Sequence, residues 1–367
     1  MRKSALGRRR FLKLAGGTCL ASNLLAMEQA RQPNIILILA DDLGYGDLSC
    51  YGSKAIRTTQ LDRMAEEGIR LTSFTVCSPV CSPSRAGLLT GRYPTRNEAL
   101  YTALAKRAVF YPDDTTGLPL NEVTIAEALK EGGYATACIG KWHLGHARAF
   151  LPTARGFDYY FGIPYSNDMI PTPLMRNSEV IEEPANQASL TERYTAEALE
   201  FIDRSKGKPF FLYLPHTMPH RPLHVSDRFK GRSEAGLYGD AVETIDWSVG
   251  EILQTLRKNR IERDTLVMFT SDNGPWFLGS PGRLRGRKAT THEGGVRVPF
   301  ITWAPGRIPA RGVCDEPVYS LDLFPTLMAV AGLKAPGNVH LDGQNVLPLL
   351  NGAVAQRAPH LMLYFDS

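Results

Sequence analysis

Ile35-Ile36-Leu37-Ile38-Leu39-Ala40 is an unbroken apolar run that stops at two adjacent carboxylates, Asp41 and Asp42. A run of strand length without polar alternation suits a strand covered on both faces, as in a parallel sheet flanked by helices. The same event recurs along the chain. A helix opened by the capping box Thr124-Ile125-Ala126-Glu127 closes at Gly132-Gly133, and the strand that follows, Tyr134 to Ile139, ends at Gly140-Lys141-Trp142-His143. Pro209 to Leu214 is a further strand candidate that leads to His216 and His220. After a helical stripe of Val242, Ile245, Val249, Ile252, Leu253 and Leu256, the run Thr265 to Thr270 ends at Ser271-Asp272-Asn273-Gly274. Strands alternating with helices predict an α/β fold: a doubly wound, mostly parallel sheet with helices on both faces. Turn residues follow many strands, but four strands delivering ligand-type side chains to the edge where such sheets bind ligands predict a site.

Asp41, Asp42, Asp272 and Asn273 are all-oxygen donors, the preference of a hard cation such as calcium or magnesium, whereas zinc favours His and Cys. Adjacent carboxylates after a buried strand repel one another and need a cation or a proton to offset that repulsion. The segment from Cys77 to Gly91 reads as a loop entering a short helix. Backbone N–H groups near Ser84 and Arg85, with the Arg85 guanidinium, are expected to hold a tetrahedral oxyanion beside the metal.

Cys81-Ser82-Pro83-Ser84-Arg85 with Ala86-Gly87-Leu88-Leu89-Thr90-Gly91-Arg92 resembles the defining signature of the type I, formylglycine-dependent sulfatases, with arylsulfatases the nearest flavour. Gly133 to His143 resembles the second signature of that family, Asp41-Asp42-Leu43-Gly44-Tyr45-Gly46-Asp47 its opening metal motif, and Ser271-Asp272-Asn273-Gly274-Pro275 its closing one. His220 before Arg221-Pro222-Leu223, Ser166 in Gly162-Ile163-Pro164-Tyr165-Ser166, and Lys288 before Thr290-Thr291-His292 are further matches, and the resemblance runs from about Pro33 to about Leu350. It implies the alkaline-phosphatase-like sulfatase fold and hydrolysis of aryl or carbohydrate sulfate monoesters. It also implies that a maturation enzyme oxidises Cys81 to formylglycine (3-oxoalanine), whose hydrate supplies the attacking hydroxyl. Asp41, Asp42, Asp272 and Asn273, joined by Cys81, would hold one divalent cation, calcium rather than magnesium. Arg85, Lys141 and Lys288 would neutralise the sulfate. His143 would assist breakdown of the sulfated intermediate, and His220 with Lys288 would protonate the leaving alcohol. Ser166, Lys141, His220 and Lys288 would touch substrate. His216 competes with His220, and Ser166 and His292 are the weaker members of the set.

Residues 1–30 carry Arg8-Arg9-Arg10 before Phe11-Leu12-Lys13 and then a weakly apolar stretch, the layout of an export signal resembling the twin-arginine type. A periplasmic or secreted bacterial product without stable membrane association is therefore expected, its catalytic domain spanning residues 31–367. Six cysteines fall to five without that segment, an odd number that leaves a thiol unpaired. Net charge is +5, partly from this basic start, and does not indicate a nucleic-acid partner. The Pro-rich stretch 164–187 reads as a long surface excursion. With 97–120 it is expected to shape specificity for a small-molecule or glycan sulfate ester. The family's smaller C-terminal sheet is expected to be largely missing from this chain. Two other readings use the same residues: a phosphatase or phosphonate ester hydrolase, and a silent anion-binding protein.

Overall fold

The computed structural model describes residues 32–351; the expected export signal over 1–30 and the terminal residues 363–367 lie outside the described residues. The strands are β1 (Asn34–Ala40), β2 (Ile69–Leu71), β3 (Phe74–Thr75), β4 (Ala135–Ile139), β5 (Tyr159–Gly162), β6 (Leu174–Arg176), β7 (Glu179–Glu182), β8 (Phe210–Pro215), β9 (Thr265–Ser271), β10 (Phe300–Trp303), β11 (Gly312–Cys314) and β12 (Val318–Tyr319). All but β3 and β12 form one sheet, in the order β11-β2-β10-β9-β1-β8-β4-β5-β6-β7. Its central strands, β9-β1-β8-β4-β5, are parallel, while β10, β6 and β7 add antiparallel pairings toward the edges.

The unbroken apolar run of β1 has a direct cause in packing. Ile35, Leu37 and Leu39 enter one core with Leu88, Leu89, Leu129 and Phe324, while Ile36, Ile38 and Ala40 enter the opposite core with Leu61, Tyr194, Ile202 and Val249. The first core is covered by helices Cys81–Thr90, Ile125–Glu131 and Leu323–Ala331, and the second by Thr59–Glu66, Leu190–Ser205 and Gly236–Lys258. The Thr124 capping box forms as read, with Glu127 N–H donating to Thr124 Oγ1 at 3.1 Å and Thr124 N–H donating to Glu127 Oε2 at 2.7 Å.

Register turns these strands into a scaffold for a site. Ala40 lies opposite Ser271, Leu39 opposite Pro215, and Cys138 opposite Tyr213. Asp41, Asp272, His216 and Lys141 consequently leave the sheet at one edge, beside the strand β1 where the chain order reverses. Gly140 is what lets β4 turn there: its φ is 132°, and a Cβ would sit 1.9 Å from the Pro215 carbonyl oxygen.

The stretch 164–187 differs from its reading as a surface excursion. It carries the hairpin β6–β7, which extends the sheet by pairing with β5, and Tyr165, Ser166, Asn167, Thr172 and Leu174 are buried. Cys50, Cys77, Cys81 and Cys138 are all free thiols, more than the single unpaired thiol that the odd count required.

Truncating the centre of β1 tests this two-sided core. Leu37→Ala, in the first core, and Ile36→Ala, in the second, should each lower unfolding free energy by about 2–5 kcal/mol, read from the urea midpoint at unchanged slope; a loss below about 1 kcal/mol in either would contradict full burial on that face.

Candidate active site

Asp41 and Asp42 leave β1 in different directions because Asp42 adopts φ 64°, a left-handed conformation that Asp tolerates better than most residues. The Asp42 N–H donates to Asp272 Oδ1 at 3.1 Å, tying the end of β1 to the end of β9. Asn273 Nδ2 donates to Asp42 Oδ1 at 2.7 Å, and its Oδ1 is buried with no partner. All four side chains are buried, so three carboxylates and an orphaned amide oxygen share a water-poor space.

Two buried cations, Lys141 and Arg85, and the partly buried Lys288 answer them. Lys141 Nζ lies 2.6 Å from Asp41 Oδ2 and also donates to Ser166 Oγ at 3.1 Å. Lys288 Nζ reaches both Asp42 oxygens, at 2.6 and 2.8 Å. Arg85 is fully buried; its Nε donates to Asp272 Oδ2 at 2.9 Å, its Nη1 to the Lys141 carbonyl at 2.8 Å, and its Nη2 lies 3.5 Å from Asp41 Oδ2. Burial opposes charge on Asp41, but Lys141, His220, Arg85 and Lys288 outweigh it and hold this carboxyl well below the usual range. Burial and the neighbouring Asp41 push Asp272 the other way, to about 6. For Lys288, burial opposes charge and Asp42 outweighs it, so its pKa rises.

Cys81 opens the helix Cys81–Thr90, earlier than the expected start near Ser84. This corrects the expected anion cradle: the Ser84 N–H donates to Val80 O at 3.2 Å, inside the helix's first turn. Arg85 points at carboxylates rather than into an open anion pocket. Cys81 Sγ lies 3.5 Å from Asp41 Oδ1, 3.5 Å from Lys288 Nζ and 3.7 Å from Lys141 Nζ. Ligand-type atoms of Asp41, Asp42, Cys81 and His220 all lie within 4.8 Å of one another, the one such cluster among the described residues. Burial raises the thiol's pKa despite both lysines, so the unmodified side chain stays protonated and is a poor nucleophile.

Two histidines face this cluster in distinguishable states. His143 Nε2 lies 3.0 Å from the Phe110 carbonyl, which can only accept, so Nε2 carries the proton and the unpartnered Nδ1 keeps a lone pair. Burial, then Lys141 and Arg85, hold His143 neutral. The His220 ring is oriented from behind: Asn167 Nδ2 donates to Gln187 Oε1 and the Pro222 carbonyl, leaving Asn167 Oδ1 to accept from His220 Nδ1 at 2.9 Å. His220 Nε2 then faces Asp42 Oδ2 at 3.7 Å. His216 is elsewhere, buried against Tyr194 with Ser248 Oγ 3.4 Å from Nε2, and burial lowers its pKa to about 3. His292 is exposed, at the start of the short helix Glu293–Val296.

Asn167 was not singled out in the sequence, although it follows Ser166 directly. Asp47 closes the Asp41–Asp47 motif and was given no role there. It accepts from the N–H groups of Gly44 (2.7 Å) and Ser280 (2.8 Å) and from the Tyr238 hydroxyl (2.5 Å), fastening the loop that carries Lys288 to the loop that carries Asp42. A cleft of about 670 Å³ opens outward from Asp42, His220 and Lys288, past Asp168, Arg221, Leu223, Leu237, Trp276 and Leu278.

The sulfatase family model matches residues 33–333. N-acetylgalactosamine-6-sulfatase of Canis lupus familiaris is 43% identical over 363 residues, covering 92% of this chain and 70% of the relative. Steryl-sulfatase of Homo sapiens is 37% identical over 423 residues, covering 91% and 72%. Among solved structures, the PsFucS1 sulfatase of Pseudoalteromonas sp. superposes with TM-score 0.80 at 31% identity, covering 91% of this chain and 75% of that one. Ps i-CgsB, in complex with k-i-k-neocarrahexaose, superposes with TM-score 0.77 at 34% identity, covering 87% and 76%. Matched over most of its length, and carrying one buried Asp/Cys/His cluster at the carboxyl edge of the expected sheet, this chain belongs to the sulfatase family and is a sulfuric ester hydrolase.

Proposed function

We propose that the enzyme cleaves a glycan or aryl sulfate monoester at residue 81, after a formylglycine-generating maturation enzyme has converted the Cys81 thiol to an aldehyde whose hydrate attacks sulfur. The observation that carries this is the setting of Cys81, within 3.7 Å of two lysine ammoniums and a carboxylate yet too buried to ionise as a thiol. Here Sγ stands in for the hydroxyl oxygen of the converted residue.

Asp41, Asp42 and residue 81, which lie in one cluster, fit a hard divalent cation together with Asp272 and Asn273, each tied to Asp42 by a hydrogen bond, and the orphaned Asn273 Oδ1 is the most direct support for that fit. Bound there, the cation would supply Lewis-acid polarisation of the sulfate oxygens. Calcium is favoured over magnesium because magnesium usually retains several waters, whereas buried side chains of Asp41, Asp42, Asp272 and Asn273 supply most of the oxygens here. A single cluster of this kind among the described residues favours sulfate transfer over a two-metal phosphatase. Lys141 and Lys288 flank residue 81 and neutralise charge on the sulfate, with Ser166 fixing Lys141. Arg85 acts from behind, bridging Asp41 and Asp272 and offsetting their repulsion. His143, neutral with a free Nδ1 lone pair, accepts a proton from the residue 81 hydroxyl when the aldehyde is restored. His220, anchored by Asn167 through Nδ1, gives its Nε2 proton to the departing oxygen from the imidazolium form, which burial opposes and the neighbouring Asp42 favours. Export by a twin-arginine signal is part of the proposal, and those residues lie outside the described ones.

Matured protein should turn over 4-nitrophenyl sulfate and Cys81→Ala should not; equal turnover by the two would sink the proposal. His220→Ala should lower kcat/KM about 10²- to 10⁴-fold on a sugar or alkyl sulfate. It should act far less on 4-nitrophenyl sulfate, whose leaving group departs without a proton; equal losses would remove His220 from the acid role. Chelation should abolish activity and lower Tm. Calcium at about a hundred times its Kd should return about 2.7 kcal/mol of stability, and a chelator-indifferent Tm and rate would contradict the cation site.

A further inference from the structure

We propose that Trp276, Asp168 and Arg221 form the subsite for the alcohol half of the substrate, and that it takes a pyranose whose neighbour in the glycan carries an anionic group. This inference rests on the sulfatase reading of residue 81 and goes on to say which alcohol the site prefers.

The cleft wall beyond His220 has two chemistries. Leu223, Leu237, Leu278 and Trp276 give it an apolar side, while Asp168 and Arg221 put opposite charges on its rim. Asp168 directly follows Asn167, and Arg221 directly follows His220. The Asn167 to His220 hydrogen bond of 2.9 Å, with Asn167 bonded in turn to Gln187 and the Pro222 carbonyl, fixes the backbone that displays both charges. The group that protonates the leaving oxygen and the groups able to touch the leaving alcohol are thus carried on the same short segments. Asp168 and Arg221 are exposed and make no ion pair among the described residues, so both are available to a ligand.

Trp276 is held ready for stacking. Arg287 Nη1 donates to its carbonyl at 3.1 Å, Lys288 N–H donates to the Pro275 carbonyl at 3.0 Å, and its ring packs edge-on against Phe277 with centroids 5.0 Å apart. A pyranose offers a C–H face to such a ring and hydroxyl donors to a carboxylate. An aryl or steryl group offers the face alone and would bury the Asp168 carboxylate without a donor, which is unfavourable. Arg221, exposed in the same cleft, matches the planar oxygens of a uronate or a second sulfate on the adjoining sugar.

The test uses matured enzyme, 4-nitrophenyl sulfate, a panel of monosulfated hexopyranoses, and sulfated disaccharides that contain a uronate. Asp168→Asn should raise KM for the sugar sulfates about tenfold, equivalent to about 1.4 kcal/mol, while kcat/KM on 4-nitrophenyl sulfate, which offers no hydroxyl donor, stays within about threefold; Trp276→Leu, which removes the stacking face, should raise KM for both. Arg221→Ala should raise KM for the disaccharides and leave the monosaccharides nearly unchanged, with Tm unaltered in all three variants. Equal losses on sugar and aryl sulfates in Asp168→Asn, no loss on either in Trp276→Leu, or wild-type activity confined to aryl sulfates, would overturn the subsite while leaving the sulfatase reading in place. Wild-type protein carrying the aldehyde but inactive on every sulfate ester would overturn both.

Discussion

Asp41, Asp42 and Asp272 are buried within reach of one another, and they persist together because Lys141 and Arg85 are buried with them and the partly buried Lys288 closes the cage on the cleft side. Three negative charges against three positive ones make the cage close to neutral in a medium where an unpaired charge is worth several kcal/mol of penalty. A divalent cation would add two positive charges, so the cage would favour the sulfate monoester monoanion and, still more closely balanced, the sulfate dianion that is released. Each lysine that steadies a carboxylate also lies beside residue 81. Deleting one member leaves its partner buried and unpaired, so loss of Lys141 or Arg85 acts on folding as well as on rate.

The sheet makes this arrangement possible. Parallel pairing of β1 with both β8 and β9 brings carboxylates from two strand ends to one point, and Gly140 allows β4 to pass close enough to Pro215 to present Lys141 beside them. The helix Cys81–Thr90 then enters from the first core with Cys81 at its tip and Arg85 one turn behind, reaching the back of the same carboxylates. Positions far apart in sequence are held by a core packed on both faces of β1, so the site inherits the rigidity of the sheet.

Much of this was legible in the chain because its strongest signals are local. The β1 run, the Thr124 capping box and the strand-end motifs each depend on neighbours a few residues away, and the elements they predicted formed within a few residues of the expected limits. What escaped the sequence depends on partners distant along the chain. The stretch 164–187 lacks a strong strand pattern because its hairpin is defined by pairing with β5. Asn167 has no local signature as the anchor of His220, 53 residues away. The start of the helix at Cys81 moved the Ser84 N–H from the imagined anion cradle into the helix's own first turn, and Arg85 was predicted to meet an anion in a position where it meets carboxylates.

The central claim is that residue 81 acts as an aldehyde hydrate inside this charge-balanced cage and never as a thiol. The direct measurement is mass spectrometry of the tryptic peptide 71–85 from active enzyme, with parallel trapping by a hydroxylamine probe and by a thiol alkylator. The account predicts an oxime on residue 81 in proportion to specific activity. A fully active preparation whose Cys81 alkylates as an intact thiol and forms no oxime would contradict it.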